Sequence, residues 1–130
     1  MAYYLDTSAA VKLVVAEAGS APMRRWAALH GDALVASDLL RTELLRATRR
    51  GAPERMVRAR AVLDSITIIT LRPEDFERAG ELEPGPMRSL DAFHLAAALA
   101  LGDELDGIVT YDDRLADAAA VHGVEVIAPS

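Results

Sequence analysis

Tyr3-Tyr4-Leu5-Asp6, followed at once by Thr7-Ser8-Ala9-Ala10-Val11-Lys12-Leu13-Val14-Val15, sets a short strand-forming run, an acid and a helical run in immediate succession. A strand that passes so directly into a helix is the opening of a parallel α/β unit. The pattern returns near the other end, where Ile108-Val109-Thr110-Tyr111 runs into Asp112 and a helical stretch over 114–122. Asp6 and Asp112 therefore fall where parallel strands hand over to helices, the carboxyl edge at which open α/β sheets form their ligand sites.

Between these ends, further strand-like runs occur at 34–37, 66–71 and 124–127. Helical patterns over 8–16, 21–29, 39–49, 54–65, 74–82, 90–105 and 114–122 separate them. Pro53 and Pro73 suit first turns, Ser89 suits a cap, and Gly31, Gly51 and Gly123 suit helix stops. The expected fold is a three-layer α/β/α domain over 1–130, with a mainly parallel sheet of four to five strands flanked by about seven helices.

A chain of 130 residues, 52% hydrophobic, has enough apolar mass for one compact core and little room for a second. No apolar run approaches the ~20 residues of a membrane span, and the N-terminus lacks the charged and apolar regions of a signal peptide, so the expected location is cytoplasmic. The absence of cysteine excludes disulfides and thiolate chemistry. Net charge is −6, but it is polarised. From Arg41 to Arg60, seven Arg face Glu43 and Glu54; from Glu74 to Ser130, thirteen acids face Arg78, Arg88 and Arg114. A basic stripe beside an acidic centre suits a phosphate backbone, although solvated helix faces account for any one Arg equally well.

Two more acids reach the carboxyl edge, because right-handed crossovers bring helix N-termini to it. Glu43 falls in the second turn of a helix, on the side of Leu40, Leu44 and Ala47, and Asp91 opens the helix carrying Leu95 and Ala98. A carboxylate on an apolar helix face is costly to desolvate without a partner, and neither has a cation at helical spacing that points inward. A bound metal is the simplest partner. Asp113 is a spare that either helps with metal or, the favoured reading, complements the helix dipole; singly, each of the other four acids has a plainer explanation: Asp6 and Asp112 as N-caps, Asp91 complementing a helix dipole, Glu43 pairing with a surface Arg. Convergence of all four is harder to explain so. Thr7, Ser8, Ser37 and Thr110 are candidate supports that orient carboxylates or water, although capping explains each about as well. His94 reads as a packed, hydrogen-bonded histidine, and His30 and His122 as surface residues at helix ends. Without cysteine or a histidine pair, zinc is disfavoured, whereas oxygen donors suit Mg²⁺ or Mn²⁺.

Four segments, Asp6-Thr7-Ser8-Ala9, Arg41-Thr42-Glu43-Leu44, Ser89-Leu90-Asp91-Ala92-Phe93-His94-Leu95-Ala96 and Thr110-Tyr111-Asp112, occur in an order and spacing that resemble the PIN domain. In length and layout the chain is similar to VapC toxins within that family. The resemblance implies a metal-dependent endoribonuclease with Asp6, Glu43, Asp91 and Asp112 as its acidic quartet and products with 5′-phosphate and 3′-hydroxyl ends. It also implies a homodimer neutralised by a VapB-type antitoxin. Two other readings compete. A phosphatase or phospho-receiver also places Asp after the first strand, but Ser8 stands where a phosphatase of that kind has its second Asp, and Lys12, the only Lys, is far from where a receiver needs one. A non-catalytic interaction module would use the apolar run 9–15 as its working surface, which also suggests a dimer or antitoxin contact.

Overall fold

In the computed structural model, which describes all 130 residues, the strand-forming runs become β1 (Ala2–Leu5), β2 (Leu34–Ser37), β3 (Thr67–Ile69), β4 (Leu105–Val109) and β5 (Val126–Ile127). They form one sheet in the order β3-β2-β1-β4-β5, and every neighbouring pair is parallel. Seven α-helices cover it: α1 (Thr7–Val11), α2 (Ser20–Leu29), α3 (Leu39–Gly51), α4 (Met56–Ser65), α5 (Pro73–Glu81), α6 (Ser89–Leu99) and α7 (Asp113–Val121).

Alternation along the strands creates two cores. Leu5, Leu34, Ala36 and Val109 face α1 to α4, packing with Ala10, Leu40, Leu44 and Val62. Tyr4 and Ile108 face the other way and pack with Leu95 and Ala98 of α6 and Leu115 and Ala119 of α7. The expected three layers follow. From β1 the chain steps outward through β2 to β3, then returns to the opposite side of β1 for β4 and β5. That reversal opens a crevice between the carboxyl ends of β1 and β4.

Several element ends differ from expectation. The helix expected over 90–105 stops at Leu99; Gly102 adopts φ +58°, a short 3₁₀ turn spans Gly102–Glu104, and β4 starts at Leu105, which pairs with Ala2. Ser89 does not cap α6, for Arg88 holds the cap position and makes no side-chain cap bond. Gly51 lies inside α3 and Gly31 opens a 3₁₀ turn, so of the three expected stops only Gly123, at φ +70°, takes the left-handed conformation. Pro53 and Pro73 do open their helical turns. Strand pairing runs only from Thr67 to Ile69 and from Val126 to Ile127, shorter than the runs 66–71 and 124–127. The apolar run 9–15 is not a free surface: α1 ends at Val11, and Ala9, Ala10, Leu13 and Val14 are buried in the first core beneath the sheet. Its apolar character serves packing.

Gly107 permits the close approach of β5. A Cβ there would lie 2.7 Å from Ile127 Cδ1 and 3.1 Å from the Glu125 carbonyl, and the backbone oxygen has little room to give. Gly107→Ala is expected to cost about 1–3 kcal/mol by overpacking, read as a lower urea midpoint with an unchanged slope.

Candidate active site

Asp6 leaves β1 and caps α1, and it is almost fully buried. Its Oδ1 accepts from Ser8 Oγ at 2.7 Å and from the Ala9 N–H at 3.0 Å, while Oδ2 accepts from Thr110 Oγ1 at 2.5 Å. Burial pushes its pKa up, and these hydrogen bonds oppose the shift. Ser8 Oγ also accepts the Tyr111 N–H (2.9 Å) and Thr110 Oγ1 accepts the Asp112 N–H (3.0 Å). Ser8 and Thr110 thus lace the end of β1 to the residues that leave β4.

Asp112 caps α7, its Oδ1 accepting from the N–H groups of Arg114 (2.9 Å) and Leu115 (3.4 Å). Capping is therefore real for both Asp6 and Asp112, and it coexists with their place at the rim. Asp91, in the first turn of α6, is half-buried and its carboxylate has no hydrogen-bond partner. Burial and then repulsion from Asp112 raise its pKa, against weaker opposition from His94 and Arg88.

Glu43 differs from the other three. Thr7 Oγ1 donates to its Oε1 at 2.9 Å, and His94 Nε2 lies 2.7 Å from the same oxygen. Burial raises its pKa, but the hydrogen bond and charge of His94, with the bond from Thr7, outweigh burial and hold the carboxyl below its ordinary range. No cation of α3 pairs with Glu43, as the spacing predicts; its partners come from α1 and α6. Helical spacing along α3 gives no view of α6, from which His94 reaches across 51 positions of sequence. His94 Nδ1 meets Tyr4 Oη at 2.8 Å, and Tyr4 Oη meets Ser37 Oγ at 3.0 Å. Ser37, expected to orient a carboxylate, instead stands behind Tyr4. His30 and His122 bond to the carbonyls of Trp26 and Glu83, away from this edge. Asp113 is exposed at the start of α7, where it complements the helix dipole.

One cavity of about 240 Å³ is lined by Asp6, Glu43, Asp91 and Asp112 together with Thr7, Ser8 and His94. No three acidic or imidazole groups close around a single point. The donors nonetheless fit a hard cation. Both nitrogens of the one histidine are engaged by Tyr4 and Glu43, which leaves carboxylate oxygens as the ligands on offer. Asp91, unpartnered and repelled by Asp112, is the group a cation would relieve.

Two neighbours were not singled out from sequence. Arg88 and Leu90 also line the acidic cavity; Arg88, three residues before Asp91 and opposing the rise in its pKa, corrects the expectation that no cation at helical spacing faces Asp91. A second groove, of about 660 Å³, shares Thr7, Glu43 and Leu90 with the first and is flanked by Arg46 and Arg50. Of the basic stripe, these two share a groove with Glu43, whereas Arg58 is committed to the Leu13 carbonyl at 3.1 Å.

A parallel α/β domain with an acidic, oxygen-rich cavity at its strand reversal defines a class of proteins whose ligand site lies at the carboxyl edge of the sheet. The PIN domain family model matches residues 3–121, and the chain belongs to that family. It is 40% identical over 129 residues to Ribonuclease VapC46 of Mycobacterium tuberculosis, covering 99% of this chain and 98% of the relative. Ribonuclease VapC47 of the same species is 40% identical over 116 residues, covering 86% and 85%. Ribonuclease VapC35 is 35% identical over 129 residues, covering 97% and 96%. The crystal structure of M. tuberculosis VapC20, described as a sarcin-ricin loop cleaving toxin, superposes with a TM-score of 0.76 over 90% of this chain and 95% of that one; at 16% identity the match bears on fold alone.

Because the folded-state pKa of Asp91 is raised, its ionisation costs stability as pH rises through that pKa, and the cost is fully present at neutral pH. Asp91→Asn is therefore expected to raise Tm in the metal-free protein at pH 7, and to raise it little or not at all at pH 3. Saturating Mn²⁺ is expected to raise Tm more for the native protein than for the variant. Thermal unfolding with and without chelator reads both.

Proposed function

We propose that this protein is a metal-dependent endoribonuclease, the toxin of a type II toxin–antitoxin pair, with Asp6, Glu43, Asp91 and Asp112 as its site and Mg²⁺, replaceable by Mn²⁺, as its ion. The observation that carries the reading is the single cavity shared by all four acids at the strand reversal. The ribonuclease names of relatives aligned along nearly the whole chain support it.

A divalent cation bound here supplies charge that polarises a phosphodiester oxygen and lowers the pKa of a coordinated water. The residues around it divide the remaining work. Asp6 is held rigid on three sides and offers a fixed anchor. Asp112, with Oδ1 given to its helix, keeps Oδ2 free. Asp91 keeps both oxygens free and is the most adaptable of the four. Glu43, with its pKa lowered, stays ionised at neutral pH, which suits a ligand or orienting role better than a base that must accept a proton. Arg46 and Arg50, one helical turn apart on α3, suit successive contacts to an RNA backbone entering from the second groove. With few aromatics, RNA choice rests on shape and phosphate position rather than on a stacking platform. A VapB-type antitoxin and a second copy of the chain are the expected protein partners. No helix is long and apolar enough to cross a membrane.

The test is incubation of pooled structured RNA with the purified protein and Mn²⁺ or Mg²⁺, beside a chelator control and Asp91→Asn. Discrete products with 5′-phosphate ends that require both metal and Asp91 are expected; cleavage that survives chelator or the substitution would refute the reading. Joint replacement Arg46→Glu and Arg50→Glu is expected to weaken RNA binding across sequences. It should also lower the salt slope by about 0.7 for each single-strand phosphate that is no longer neutralised. An unchanged slope would locate the backbone contacts elsewhere.

A further inference from the structure

Glu43 reaches the acidic cavity on a side chain with three rotatable bonds, whose rotamer freedom is lost when the carboxylate is held in one place. Thr7 and His94 meet that flexibility by converging on one oxygen, Oε1, at 2.9 and 2.7 Å, and no protein donor reaches Oε2. His94 in turn is held from behind. Its Nδ1 meets Tyr4 Oη at 2.8 Å, and that hydroxyl meets Ser37 Oγ at 3.0 Å. Tyr4 and Ser37 are fully buried and His94 nearly so, and no buried side-chain polar atom of the chain is left unpaired.

Proton bookkeeping gives this chain a definite sense. A neutral imidazole with its proton on Nδ1 would turn a lone pair toward a carboxylate oxygen at 2.7 Å. A neutral imidazole protonated on Nε2 donates to Glu43 and accepts from Tyr4. An imidazolium donates to both, and Tyr4 then donates to Ser37. Either permitted state presents Nε2–H to Glu43. Phenylalanine at 4 and leucine at 94 would fill similar space without the desolvation of a phenol and an imidazole, so packing alone does not account for the pair.

We propose that His94, braced by Tyr4 and Ser37, is a positioning residue that ties back Oε1 of Glu43 and leaves Oε2 as the oxygen free for the cation. The brace runs from Ser37 of β2 through Tyr4 of β1 and His94 of α6 to Glu43 of α3, so two strands and a second helix fix the direction of one carboxylate. The proposal rests on the metal-dependent reading above and assigns within it the part of a residue that touches neither metal nor RNA.

The experiment compares the full-length protein with His94→Leu, His94→Gln and Tyr4→Phe, each first shown to be folded by circular dichroism. Mn²⁺ affinity is measured by calorimetry in the absence of RNA, and kcat and KM are measured separately on a cleaved RNA. Loss of an outer partner of a metal ligand typically costs 10–100-fold. His94→Leu is expected to weaken Mn²⁺ binding and lower kcat within that range, with KM for RNA within about twofold of native. His94→Gln, which keeps an amide N–H at similar reach, is expected to recover much of the loss, and Tyr4→Phe to fall between. A Leu variant with native Mn²⁺ affinity and kcat would overturn the proposal, as would a Gln variant no better than Leu. In the metal-free protein, ¹⁵N-histidine NMR should show a proton on His94 Nε2 whose shift moves in Glu43→Gln. That readout is independent of activity: a native protein that neither binds Mn²⁺ nor cuts RNA would refute the ribonuclease reading, whereas an unprotonated Nε2 would refute the positioning role itself.

Discussion

The hydrogen bond from Thr110 to Asp6 joins the carboxyl ends of β1 and β4 at the place where the strand order reverses, and the rest of the site is built around it. Parallel pairing alone would leave these two ends side by side but unconnected above the last ladder bond. Thr110 and Ser8 close that gap, each also accepting a backbone N–H from the chain leaving β4. As a result Asp6 and Asp112, separated by most of the sequence, line one cavity. Loosening of this lacing would release the first turn of α7 and the start of α1 together.

Charge is distributed unevenly over that frame. Asp6 bears burial with three donors, Glu43 with two, and Asp91 with none. The directions of their pKa shifts follow: upward for Asp6, where burial outweighs the donors; upward for Asp91, where Asp112 adds repulsion; downward for Glu43, where His94 prevails. A site of this kind is rigid on the Asp6 and Glu43 sides and adaptable at Asp91. Such a division suits a cavity whose acids stand apart from one another yet have oxygens to offer when a cation enters.

Much of this was legible in one dimension. Alternation of short β-branched runs with longer helical ones identified the parallel sheet, because strand and helix periods differ and each crossover needs a helix. The handover at Asp6 and Asp112 placed two acids at the rim, since the carboxyl end of a strand is a position in sequence as well as in space. Element ends were less legible. Ser89 has the chemistry of a cap but falls one residue inside α6, and Leu105 reads as helix yet extends β4, because pairing with Ala2 competes with local preference. The apolar run 9–15 read as a possible surface because hydrophobicity alone does not say which partner covers it; the sheet of the same chain does.

By itself, the sequence determined the class of fold, the four acids and the absence of thiol chemistry, all of which depend on residue type and on spacing along the chain. Tertiary structure alone decided which partner each acid has. His94 looked like a core histidine from its neighbours on α6 and is one, but the three groups that give it a role, Glu43, Tyr4 and Ser37, arrive from α3, β1 and β2. Local periodicity resolves which face of a helix is apolar. It carries no information on what stands opposite, and hydrogen bonds, being short-ranged and directional, depend on that alone.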